Sequence, residues 1–117
     1  ETGIIGDSIE INYDDRLKER SYGDWAGLNK TNVRDEVGDE AFLSARRGWD
    51  TSPPNGESLK DVSLRVTSFI NSLPLAGNIL VVSHGNTIRA ISVILGINTK
   101  EEVSSYEIRT GTFLLIE

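Results

Sequence analysis

The stretch "VVSHGNTIRA", Val81 to Ala90, carries His84, the single histidine of the chain. An apolar run leads into it and glycine and cap-type residues follow, so the imidazole falls where a buried strand gives way to a helix. In open α/β sheets ligands gather at that carboxyl end, beside helix N-termini. The free N–H groups opening a helix capped by Asn86 or Thr87 favour an anion, and Gly85 lets that anion approach the backbone. Together these features suggest a phosphate site. The plainer alternative is a histidine satisfied by hydrogen bonds at a sheet edge.

The elements that must hold His84 follow from pattern. In "SIEINY", Ile9, Ile11 and Tyr13 alternate with polar neighbours, the period of a half-buried strand. From Arg16 to Lys30 charge, aromatics and glycines mix without a period, which predicts a long irregular segment. "TNVRDEVG" and "DEAFLSARRG" predict two short helices, each ended by a glycine (Gly38, Gly48) in the left-handed position. "TSPPNG" is a loop by its punctuation. Leu59, Val62, Val66, Phe69, Ile70 and Leu73 then form an amphipathic stripe, with a Ser58–Asp61 capping box at its start and Pro74 and Gly77 beyond its end. "NILVVSH" reads as a strand buried on both faces of a parallel sheet. A helix through Ile88, Ile91, Ile94 and Leu95 stops at Gly96, Thr99 and Glu102 cap another short helix, and "TFLLIE" closes as a strand. Helix, buried strand and helix in succession predict an α/β fold.

Composition bounds the rest. With 117 residues the chain has the size of one domain or part of one. A net charge of −6 gives no basic footprint, so nucleic acid and anionic membranes are excluded as partners, and an anionic ligand must be caught by a local positive cluster. No cysteine is present, which removes disulfides, thiol catalysis and thiolate metal sites and fits a cytoplasmic setting. No apolar run reaches the length of a membrane span. No methionine is present either, so the 117 residues do not begin at a retained translation start.

Four ordered blocks, "DDRLKERSYGDWAGLNK", "ARRGWDTSPPNGESLKDVSLRV", "VVSHGNTIRAI" and "IRTGTFLLIE", resemble the cofactor-dependent phosphoglycerate mutases of the histidine phosphatase superfamily. The resemblance runs from Asp14 to Glu117. It implies a three-layer α/β fold with a mostly parallel sheet flanked by helices. It also implies interconversion of 3-phosphoglycerate and 2-phosphoglycerate, a small phosphorylated carboxylic acid as partner, 2,3-bisphosphoglycerate as phosphoryl primer, and no metal. By the same resemblance Glu19 is the proton donor and acceptor for the substrate hydroxyl, although alone it reads as a surface glutamate. Arg20, Ser21 and Tyr22 shape the substrate pocket. Lys30, Arg46 and Arg47 bind carboxylate and phosphate, a task suited to guanidinium forks, although an "ARRG" pair also answers a helix dipole. His84 is the second histidine of the family, stabilising charge on the transferring phosphoryl group, with Gly85 and Asn86 in contact. Ser58 and Arg65 take structural roles, and the loop between Pro54 and Ser58 is short for the family.

The chain departs from its family in one respect. The superfamily's nucleophile is a different histidine, in an Arg-His-Gly motif on the first strand, and no such motif occurs here. Residues 1–117 therefore read as a partial phosphoglycerate mutase-like domain lacking the first, central strand, and as inactive alone because nucleophilic catalysis needs a nucleophile. Two edges then need covering, by another copy in a homo-oligomer or by preceding residues. The alternatives are a histidine-type phosphatase, or a non-catalytic module of the same ancestry that binds phospho-ligands or protein.

Overall fold

The computed structural model describes residues 10–74 and 76–109. Four α-helices follow in order: α1 (Lys30–Val37), α2 (Asp39–Arg47), α3 (Leu59–Asn71) and α4 (Gly85–Ile94). Short 3-10 turns lie at Asp15–Leu17, Gly23–Trp25 and Val103–Ser105. The expected irregular segment from Arg16 thus ends where α1 begins, with the turn at Asp15–Leu17 straddling its start and the one at Gly23–Trp25 inside it.

α3 forms where the apolar stripe predicts it. Ser58 Oγ accepts from the Asp61 N–H, and the Asp61 carboxylate accepts from the Ser58 N–H, so the capping box is complete. Leu59, Val62 and Val66 are fully buried, and Val62 and Val66 pack with Ala90 of α4, flanked by Ile70, Ile91 and Ile94. Each buried aliphatic contributes about 1.5–3 kcal/mol, against a few tenths lost to the poor helix propensity of valine and threonine. Packing on α4, rather than propensity, holds α3 in place.

The two short helices also appear, but their ends differ from expectation. Asn29 caps α1 by accepting from the N–H groups of Thr31 and Asn32. Gly38, at φ +91°, ends α1 and opens α2, a backbone conformation that needs glycine. Gly48 is not left-handed: its φ is −70°. It must be glycine for another reason, since a Cβ there would collide with the Ser44 carbonyl, to which the Gly48 N–H donates at 2.8 Å.

No strand occurs among the described residues. A strand needs a ladder partner, and the run 78–84 finds none there: Leu80 and Val82, expected to be buried on both faces, are 82% and 79% exposed. Residues 10–13 likewise form no ladder, while Ser8, Ile9 and the expected closing strand lie outside the described residues. After α4, Thr99 and Glu102 exchange the expected reciprocal capping bonds, yet only one turn and the 3-10 segment Val103–Ser105 follow. Among the described residues no helix is long and apolar enough to cross a membrane.

Candidate active site

Glu19 is placed by a strap of backbone, and every carbonyl of that strap is held by a side chain. Arg65 Nη1 donates to the Arg16 carbonyl at 2.6 Å, Ser83 Oγ to Leu17 at 2.7 Å, Thr87 Oγ1 to Lys18 at 2.7 Å, and Arg65 Nη2 to Glu19 at 3.3 Å. The donors come from α3, from the residue before His84 and from the first turn of α4. Four successive tethers fix the strap to both helices, so the Glu19 side chain is aimed by them.

Its carboxylate lands on the open end of α4. Oε1 accepts from the Thr87 N–H at 3.3 Å and from the Arg20 N–H at 2.9 Å, and Oε2 accepts from the Asn86 N–H at 3.5 Å. The anion at this helix terminus is thus a carboxylate of the chain itself, supplying the charge that unpaired N–H groups favour. Neither Asn86 nor Thr87 is the N-cap. His84 takes that position in extended conformation (φ −113°, ψ 165°), makes no capping bond with its side chain, and stays exposed. The expected local cap is replaced by a residue 67 positions away. Glu19, His84, Gly85 and Asn86 therefore share one end of one helix.

Tyr22 joins this end to a second group. Asn86 Nδ2 donates to Tyr22 Oη at 2.7 Å. The same tyrosine lines a pocket of about 300 Å³ together with Trp25, Leu28, Lys30, Phe42 and Arg46. Phe42, only 2% exposed, forms its floor: Trp25 stacks on it with ring centroids 5.9 Å apart, and the Arg46 guanidinium lies over it at 5.6 Å. Cation–π contact of this kind holds a guanidinium without using its hydrogen-bond donors. Lys30 and Arg46 supply the local positive charge that a chain of net charge −6 needs to bind an anion.

Arg46 and Arg47, adjacent in sequence, separate in space. Arg47 Nη1 donates to the Ser104 carbonyl at 3.1 Å and lies 3.9 Å from the Glu107 carboxylate, on the side of Val103–Ser105. Arg20 departs further from a ligand-facing position. At 2% exposure, its guanidinium donates to the carbonyls of Ala45, Arg46, Thr51 and Glu57. Burial pushes its pKa down, and Tyr22, Glu57 and Glu19 offset part of that shift. Arg20 stays charged, with its donors committed to backbone at the end of α2, directly behind Arg46.

Ser21 is bonded to the loop before α3. Its N–H donates to Glu57 Oε1 at 2.9 Å and its carbonyl accepts from the Glu57 N–H at 2.8 Å. Gly23, at φ +53°, passes so near the Pro54 carbonyl that a Cβ would overlap it. The short loop therefore grips the site segment closely. Burial raises the Glu57 carboxyl, but hydrogen bonds from Arg65 and Ser21 and the Arg65 charge outweigh it, leaving the pKa below the ordinary glutamate value. Arg65, bonded to both Glu57 oxygens and to the strap, ties the loop, α3 and Glu19 together.

Sequence reasoning passed over Trp25, Phe42 and Arg89 at this site. Arg89 stands three residues after Asn86, on the same face of α4, and donates to Asn86 Oδ1 at 3.1 Å. That helical spacing was the available signal. Phe42 carried none beyond its apolar character in α2.

Comparison with known proteins identifies the family and its relatives. The family model of the histidine phosphatase superfamily (branch 1) matches residues 2–116. A 2,3-bisphosphoglycerate-dependent phosphoglycerate mutase of Sinorhizobium fredii is 42% identical over 109 residues, covering 89% of this chain and 52% of the relative. One of Methylobacterium radiotolerans is 43% identical over 104 residues, covering 85% and 49%. Among solved structures, a mycobacterial glucosyl-3-phosphoglycerate phosphatase with inorganic phosphate superposes with a TM-score of 0.64 at 28% identity, over 80% of this chain and 50% of that one. The chain spans about half the length of the curated relatives it matches. With a family model matched along nearly its whole length, this chain belongs to the histidine phosphatase superfamily, branch 1.

Proposed function

We propose that the whole protein is a 2,3-bisphosphoglycerate-dependent phosphoglycerate mutase and that this chain furnishes its proton-transfer and charge-stabilising half. The observation that carries the reading is the convergence at α4: the Glu19 carboxylate beside His84, linked through Asn86 and Tyr22 to a pocket bearing Lys30 and Arg46. In a mutase a carboxylate must exchange a proton with a substrate hydroxyl while cations grip the substrate's carboxylate and phosphate. Two adjoining clusters offering a carboxylate and cations support this reading, and relatives about 40% identical carry the mutase name.

In this reading Lys30 and Arg46 bind the substrate's anionic groups, Tyr22 lines the passage between the clusters, and Gly85 and Asn86 contact the phosphoryl group. Arg47 takes part from the Ser104 side. Arg20 and Ser21 shape the pocket from behind, Arg20 through the Arg46 carbonyl and Ser21 through Glu57. His84 stabilises charge on the phosphoryl group in flight, and its exposed ring is open to do so. The nucleophile is not among the 117 residues, because their single histidine is assigned this other part. A pocket with cationic donors also fits 2,3-bisphosphoglycerate, which would prime the nucleophile with a phosphoryl group; Lys30, Arg46 and Tyr22 are the residues that would hold it.

A second reading is a phosphatase. It is favoured by the structural likeness to the mycobacterial glucosyl-3-phosphoglycerate phosphatase. Assaying the full-length gene product separates the two. The mutase reading expects conversion of 3-phosphoglycerate to 2-phosphoglycerate with little free phosphate, and phosphate release without isomer formation would replace it. For the 117-residue chain, acid-labile phosphate on His84 after incubation with 2,3-bisphosphoglycerate would contradict its assigned role.

A further inference from the structure

Behind Asn86 lies a charged residue with no part in the scheme above. Arg89 is 7% exposed, donates from Nη1 to Asn86 Oδ1 at 3.1 Å and from Nε to the Tyr106 carbonyl at 3.0 Å, and its Nη1 lies 3.3 Å from where a Cβ on Gly85 would stand. A guanidinium has donors only. The Asn86 atom facing it must therefore be the carbonyl oxygen, which turns the amide NH2 the other way, onto Tyr22 Oη at 2.7 Å. The phenol oxygen accepts that bond, so its own proton is left to point away from Asn86 and is free for another acceptor; Tyr22 also lines the pocket with Lys30 and Arg46.

We propose that Arg89 is a positioning residue that sets hydrogen-bond polarity through Asn86, making Tyr22 a donor to an anionic ligand in the pocket. With the amide reversed, Asn86 Oδ1 would take the phenol proton, and Tyr22 would face a phosphate or carboxylate with lone pairs alone. Arg89 thus acts two bonds away, through orientation rather than contact. The inference rests on the phospho-ligand reading above, and its test is arranged so that the two can fail separately.

The first readout needs no ligand and no variant. In the wild-type chain the Asn86 side-chain amide protons should show nuclear Overhauser contacts to the Tyr22 ring; their absence, with contacts toward Arg89 instead, overturns the proposed polarity. The second is a double-mutant cycle on binding of 3-phosphoglycerate by calorimetry. Tyr22→Phe should weaken binding about tenfold or more, the worth of a hydrogen bond to a charged group. Arg89→Met should weaken wild type by a similar factor but change the Tyr22→Phe background less than twofold. Equal losses in both backgrounds would show that Arg89 does not act through Tyr22. Arg89→Lys keeps a donor toward Oδ1 and should recover part of the affinity, which serves if Arg89→Met does not fold. Failure of the wild-type chain to bind 3-phosphoglycerate overturns the phospho-ligand reading, while the amide contacts still decide the polarity.

Discussion

Replacing Arg20 by methionine distinguishes a residue that holds the site from one that touches its ligand. The guanidinium is 2% exposed and serves four backbone carbonyls, those of Ala45 and Arg46 at the end of α2 and those of Thr51 and Glu57 in the following loop. Methionine fills much of the volume but donates nothing. A hydrogen bond from a charged group contributes about 1.5–3 kcal/mol, and neighbouring losses do not add fully, so a destabilisation of about 4 kcal/mol is expected. Against a total of about 5–15 kcal/mol for a domain, that is a large share. Urea unfolding followed by the fluorescence of Trp25 and Trp49 should show a midpoint lower by about 2 M or more. Arg20→Lys should recover less than half, because one ammonium cannot span four carbonyls arranged around a fork. An unchanged midpoint with ligand binding lost would refute the reasoning and return Arg20 to the ligand's side of the pocket.

Other substitutions and conditions test the remaining supports. Gly48→Ala should cost about 1–3 kcal/mol by driving a Cβ into the Ser44 carbonyl, measured by the same unfolding curves, although its φ of −70° suits alanine. Val66→Ala, which opens a hole between α3 and α4, should cost about 2 kcal/mol, and circular dichroism melts would report it. Asp14, bonded by the Arg16 side chain and N–H, has its pKa lowered from 3.8 to about 2. Its folded pKa lies below the unfolded one, so its stabilisation is present above pH 3.8 and is lost as pH falls toward 2. Carboxyl NMR titration should give that value, and Asp14→Asn should flatten the acid side of the stability profile over the same window.

Much of the helical framework was legible because its signals are local. The α3 stripe, its Ser58–Asp61 box and the Thr99–Glu102 bonds all join residues within one or two turns, and each appears in the structure. What was not legible depends on residues far apart. The cap of α4 comes from Glu19, and no reading of Asn86 and Thr87 alone reveals that another carboxylate takes their N–H groups. The split of Arg46 from Arg47 depends on Phe42 and on Ser104, 57 residues beyond Arg47. Arg20 carried the same ambiguity: a charged residue beside a candidate acid reads as ligand-binding until four distant carbonyls are found around it. The expected strands show the same dependence, since an apolar run such as residues 78–84 becomes a strand only through a partner, and none stands among the described residues.

The central claim is that Glu19, Tyr22, Lys30, Arg46 and Asn86 form one site for a phosphorylated carboxylic acid. A titration of the isotope-labelled chain with 3-phosphoglycerate, followed residue by residue in ¹H–¹⁵N spectra, measures it directly. Saturable shifts should appear at Glu19, Tyr22, Lys30, Arg46 and Asn86, with resonances along the outer face of α3 still, and Lys30→Ala should weaken them all together. Shifts confined to other surfaces, or none at ligand concentrations in the millimolar range, would contradict it.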